Sequence, residues 1–238
     1  MKSIFGLILI CFSLSAFAQE KKDAKPKPDF KKLDLSKRAS DHLMIQWGYA
    51  GWGDKGSITT KGFSKTFNMY FMFDFPIKSD PHYSVALGPG IGSDNIHLKQ
   101  TTVDLSHTGG ATFTRDTVSN YKKYKLSTGY LEVPLEFRYA SKPENMNKGW
   151  KFALGLKIGT IVDGKVKAKV NLDANKKGGY ILKYEDHKYF SGTRIAATAR
   201  AGLGNVSVFG SYTLSDFFKA GYGPTVRPFS FGLAISGL

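Results

Sequence analysis

Large apolar side chains recur at every second position in eight stretches of this 238-residue chain, with small or polar residues between them. In the first, Leu43, Ile45, Trp47 and Tyr49 alternate with Met44, Gln46, Gly48 and Ala50. In the second, Phe67, Met69, Phe71, Phe73 and Phe75 alternate with Asn68, Tyr70, Met72 and Asp74. The third runs from Tyr83 to Ile91, with Tyr83, Val85, Leu87 and Ile91 on one face. The fourth sets Leu131, Val133, Leu135, Phe137 and Tyr139 against Glu132, Pro134, Glu136 and Arg138. The fifth, Lys151–Val162, sets Phe152, Leu154, Leu156 and Ile158 against Ala153, Gly155, Lys157 and Gly159. Arg194–Gly202, Val206–Leu214 and Pro228 onward complete the set; in the seventh the phase is ambiguous, because Val208 and Phe209 oppose each other. A period of two belongs to a strand with two unlike faces, whereas a helix repeats its apolar positions every 3.6 residues.

The connections sort by length. Those after strands one, three, five and seven are long, and those after two, four and six are shorter, down to Leu203-Gly204-Asn205. An even strand count puts both ends of the chain on one side. All long connections then fall on the far side, the arrangement of outer-membrane barrels. The expectation is an all-β chain: an eight-stranded antiparallel up-and-down transmembrane β-barrel over residues 42–238.

A soluble barrel of this size has the same period with its apolar face inward. Here the second face is rich in Gly, Ala and Ser with a few charges, which suits a narrow lumen whose charges must pair. Glu132, Glu136 and Arg138 would point inward toward Lys157, with Arg194 and Arg200 beyond. These six are the expected lumen charge network, a salt-bridge plug and not a conduit. Trp47, Tyr49, Trp52, Tyr130, Tyr139, Trp150 and Phe229 lie near strand ends, where a rim of amphipathic rings is expected.

Before the barrel, residues 1–18 read as a secretory signal: Lys2, an apolar Ile4–Leu14 too short to span a bilayer, and Ala16-Phe17-Ala18 for cleavage. The only cysteine, Cys11, lies inside it, so the mature chain is expected to lack disulfides, thiol catalysis and zinc–thiolate sites. Residues 19–41, with eight Lys/Arg, five Asp/Glu and two prolines, read as a flexible periplasmic lead. No later run approaches the length of a membrane helix, which does not bear on a barrel.

The net charge of +15 falls to +14 without Lys2. The long connections carry eight of these charges. A secreted chain rarely meets nucleic acid, so no nucleic-acid partner is expected. Basic loops at an outer rim suit the phosphates of lipopolysaccharide instead. Outer-membrane lipid and lipopolysaccharide are therefore the expected partners.

Chemistry is thinly represented. Gly88-Pro89-Gly90-Ile91-Gly92 has no lysine at a phosphate-loop position and no following helix; its glycines, spaced by two, read as lumen packing. His42, His82, His97, His107 and His187 form no pair at ligand spacing, so no metal, cofactor or catalytic site is expected. The alternatives are a narrow, porin-like solute channel and a loop-sited hydrolase using His107 with Ser106 and Asp104, or His187 with Asp186.

The stretch Lys125–Tyr139, with Tyr130-Leu131-Glu132-Val133-Pro134-Leu135 at its centre, resembles a strand of the PorT-like outer-membrane β-barrel proteins of Bacteroidota. Phe152–Gly159 is similar to their next strand and Pro228–Leu238 to their closing one. The resemblance covers roughly residues 42–238. It implies an eight-stranded outer-membrane barrel, no catalytic residue, and a possible tie to envelope or type IX secretion-machinery proteins. The expected function is that of a non-enzymatic barrel binding through its outer loops.

Overall fold

Alternation of this kind gives each strand one face for a packed interior and one for an apolar surround, and closing the sheet leaves no edge of unpaired backbone groups. A computed structural model describes residues 42–237 apart from 54–57, 59, 61, 63, 100, 105–109, 116–120, 172–178 and 186–188. The described residues belong to one compact unit, Leu33–Leu238. The expected signal and lead lie outside the described residues.

The strands are β1 (Leu43–Gly53), β2 (Lys65–Phe71), β3 (Phe73–Pro76), β4 (Tyr83–Leu87), β5 (Gly90–Leu98), β6 (Thr101–Asp104), β7 (Thr112–Arg115), β8 (Tyr121–Ala140), β9 (Trp150–Asn171), β10 (Gly179–Glu185), β11 (Thr193–Leu203), β12 (Val206–Thr213) and β13 (Arg227–Ser236). β2 with β3, and β4 with β5, each make one interrupted stave. The staves close as β1, β2, β5, β8, β9, β11, β12, β13 and back to β1, every pairing antiparallel. This is a ring of eight strands. β6 and β7 form a separate hairpin, and β10 adds a strand to the projecting end of β9.

The interruptions have a local cause. Leu87 pairs with Leu135 and Gly90 with Glu132, so the gap at Gly88-Pro89 lies beside Val133 and Pro134. Neither proline has an amide hydrogen to give the ladder, and proline in a sheet is confined to such irregular places. Gly88 is needed there because a Cβ would collide with the Phe71 carbonyl.

The outward face is apolar. Phe67, Leu131, Leu135, Phe137, Leu154, Leu156, Ile158, Val208 and Leu233 are all exposed. Polar and small side chains fill the inside, the reverse of a water-soluble barrel. In β12 the phase is settled by Phe209, which is buried inward, while Val208 faces out at 58 % exposure.

Three strands run further than their apolar pattern. The third stave reaches Leu98 rather than Ile91, β8 begins at Tyr121 rather than near Leu131, and β9 reaches Asn171 rather than Val162. Their projecting parts pair with one another. The polar residues there are long-range strand, not loop. The turns at the opposite end are short: Gly204, with φ of +60°, and Asn205 join β11 to β12. In the first turn, slight burial pushes the Asp80 carboxyl up, but bonds from the His82 amide and ring outweigh it and hold the group below its usual value.

Candidate functional site

Lumen-facing charges from five staves converge in two layers. In the layer nearer the loops, Glu132 from β8 is the hub. Its Oε2 accepts hydrogen bonds from Tyr70 Oη (2.6 Å) and Lys157 Nζ (3.1 Å). Its Oε1 accepts from Arg194 Nη1 at 3.2 Å. The same Nη1 lies 3.1 Å from Asp94 Oδ2, and Arg194 Nε donates to Thr213 Oγ1. The guanidinium rests 4.4 Å above the centre of the Tyr130 ring, a cation–π contact.

The layer nearer the turns centres on Glu136, two residues along β8. Its Oε2 accepts from Arg138 Nε (2.8 Å) and Arg200 Nη2 (3.0 Å). Arg200 Nη1 reaches Ser207 and Ser236 hydroxyls at 3.4 Å. Arg138 Nη1 lies 3.7 Å from Asp74, which accepts a bond from Ser84. The six residues singled out from sequence, Glu132, Glu136, Arg138, Lys157, Arg194 and Arg200, thus all lie buried in the interior, split between the two layers.

Two acids and four bases could not balance by themselves. Asp94 completes the first layer, which holds two acids against two bases. Asp74 joins Glu136 in the second, against Arg138, Arg200 and the buried Lys151, whose Nζ shares the Ser236 hydroxyl with Arg200. The pattern already put Asp74 on the inward face. Asp94 lay past the expected end of its strand, so no alternation marked it. Tyr70 and Tyr130 were also outside the expected network, because tyrosine reads as an ordinary strand residue.

Glycines make the room. A Cβ at Gly92 would sit 2.8 Å from the Asn68 side chain and 3.1 Å from Glu132, and one at Gly159 would sit 2.8 Å from Glu132. One at Gly90 would collide with the Tyr70 ring. A void between the layers, bordered by Tyr70, Glu136, Lys157 and Arg200, has a volume of about 10 Å³. That is room for about one water molecule.

Above the charged layers the loop end is closed by apolar packing. Trp52, Ile58, Ile96, Leu98, Val103, Leu126, Val166, Phe190, Phe217, Phe218 and Val226 form one buried cluster. Its rings meet closely: Phe217–Phe218 at 4.8 Å, Phe190–Phe217 at 5.2 Å and Trp52–Phe217 at 5.4 Å. Backbone bonds tie the loops across it, as in Ala111 N to Tyr222 O at 2.8 Å and Ser191 N to Phe217 O at 2.9 Å. This changes the expected aromatic rim. Trp47 and Trp150 are exposed on the outer surface, but Trp52 belongs to the cap, and Tyr130 lies at its base against Arg194. Both were read by their nearness to a strand end, whereas the strand phase turns them inward.

No group of three or more acidic, histidine or cysteine side chains is placed to hold a metal among the described residues. The loop residues offered for hydrolysis, Ser106, His107, Asp186 and His187, lie outside the described residues. Asp104 ends β6. His42 stacks on Phe71 and His82 bonds to Asp80, at the turn end of the barrel.

The sequence profile of one family, the outer membrane protein beta-barrel domain, matches residues 42–237. No curated protein matches the chain.

Proposed function

Because the chain belongs to the outer membrane protein beta-barrel domain family, and so is an integral barrel of the outer membrane, we propose that it is a closed, non-enzymatic barrel that works through its surfaces. The finer reading is of a PorT-like protein with its loop end outside the cell and its turns in the periplasm. Its partners are then the lipids and lipopolysaccharide around it and proteins of the envelope or secretion machinery.

The observation that carries this reading is the double closure of the interior. Two layers of paired charge cross the lumen, and an aromatic cap covers one end. Eight strands enclose a space that side chains alone can fill. A solute passing through would have to part several buried ion pairs and the cap together, and breaking a buried pair costs about 3–5 kcal/mol. In planar bilayers the purified protein is expected to show no steady conductance. A stable, ohmic single-channel current would overturn the closed reading in favour of a narrow solute channel.

A further inference from the structure

The projecting parts of β8, β9 and β10 carry a feature that neither closure nor lipid burial uses. Lys125 on β8 stands opposite Lys167 on β9, and Lys167 stands opposite Lys183 on β10. His97 on β5 stands opposite Lys125, extending the row. In the next row Lys123 stands opposite Lys169. Like charges directly opposed across strands destabilise a sheet, so folding does not favour these rows. Lysines at a sheet edge can guard against aggregation, but β8 and β9 are paired on both sides here through Lys125 and Lys167.

A β-bulge sets their direction. Tyr130 pairs with Ile161 and Gly129 with Asp163, which leaves Val162 as the extra residue on β9. Below it the odd-numbered residues of β9, such as Lys157, face the lumen. Above it the even-numbered Val166 and Ala168 are buried, and Lys165 and Lys167 turn outward. Among the described residues, two acids lie near this level, in the row below: Asp163 bonds to Lys165 at 2.6 Å, and Glu185 stands opposite Lys165. Lys125 Nζ donates to the neutral Asn95 Oδ1 at 3.0 Å.

The rows continue the lipid-facing surface. On the same outward faces, Leu131 of β8 and Val162 of β9 are half exposed or more. At ~3.3 Å per residue and a tilt of ~40°, Lys125 stands roughly 15 Å beyond Leu131 and Lys167 roughly 13 Å beyond Val162. That is above the hydrocarbon, from where lysine side chains can reach back toward polar headgroups.

We propose that Lys125 of β8 and Lys167 of β9 bind the phosphates of a lipid A-type glycolipid in the outer leaflet. The proposal rests on the orientation given above, with the loops outside. The test uses the full mature barrel in mixed micelles with fluorescent diphosphoryl lipid A, or its dephosphorylated form with the same acyl chains. The native protein is expected to prefer the phosphorylated form about tenfold at low salt, and less as salt screens the charges. The double variant K125Q/K167Q should lose that preference, and the Lys→Arg double should keep it. A control triple at the turns, K78Q/K142Q/K148Q, should keep it too.

Heat-modifiable gel mobility reports folding of each variant. If the glutamine double does not fold, Lys167→Gln alone should still lower the preference severalfold. No preference in the native protein, or a preference unchanged in the glutamine variants, would overturn the proposal. So would full displacement by millimolar inorganic phosphate, which would mark a site for free anions.

Orientation is read separately, by impermeant maleimide on whole cells carrying Lys219→Cys or Lys142→Cys. Labelling at position 219 without lipid A preference defeats this inference alone. Labelling at position 142 alone defeats the orientation beneath it.

Discussion

Glu132 shows how much one side chain can hold. It receives bonds from a tyrosine, a lysine and an arginine that come from three other staves. Glu132→Ala leaves Lys157 and Arg194 buried with only Asp94 as a nearby acid, and is expected to destabilise the refolded barrel by about 3–5 kcal/mol. Urea titration followed by heat-modifiable mobility measures it. Adding Lys157→Met to that variant should recover part of the loss, since the uncompensated cation goes with it; a double variant no more stable than the single one would argue against the pairing.

The tryptophans give a second residue-scale test, because the three occupy two environments. Trp47 and Trp150 are more than half exposed on the outer surface, and Trp52 is 4 % exposed under the cap. In single-tryptophan variants reconstituted in brominated lipid, fluorescence from Trp47 and Trp150 should be strongly quenched. Emission from Trp52 should be nearly unaffected; equal quenching of all three would place Trp52 on the lipid side.

At the scale of elements, β9 holds the most information. Its lower half was legible from Phe152–Gly159, where the period is clean and the inward positions are small. Lys165-Val166-Lys167-Ala168-Lys169-Val170 also alternates, with its apolar residues at even numbers as in the lower half. An unbroken strand would therefore turn Val166 and Ala168 to the lipid and the lysines to the lumen. The bulge reverses this by inserting one residue. Deleting Val162 should make Tyr130–Ile161 and Gly129–Asp163 consecutive regular pairs and leave Lys165 and Lys167 outward. Limited proteolysis of that variant should then give the native pattern. New cuts between residues 163 and 192 would show that Val162 is not the extra residue.

The breaks at Met72 and Gly88-Pro89 follow the same logic on a smaller scale. Proline positions were visible in the sequence. That two of them, Pro89 and Pro134, fall side by side in adjacent staves depends on register, which is a property of the closed sheet.

For the whole molecule, closure comes from both ends of the physical scale: paired charge in the middle and aromatic packing at the loop end. The loops looked polar in sequence because their net charge is positive and their apolar residues are scattered. Ile58, Val103, Phe190 and Phe217 lie far apart along the chain, and no local window shows that they meet. The long connections therefore supply a lid as well as a surface.

The period of two in the chain was enough to determine an all-β barrel, its strand count, its apolar outside and six of the charged residues of its inward face. Each of those follows from the alternation along the chain. Tertiary structure alone decided the pairing roles of Asp74 and Asp94, the cap over the lumen, and the outward turn of Lys165 and Lys167. Those depend on which strand lies beside which, and on a one-residue bulge that reverses every side chain after it.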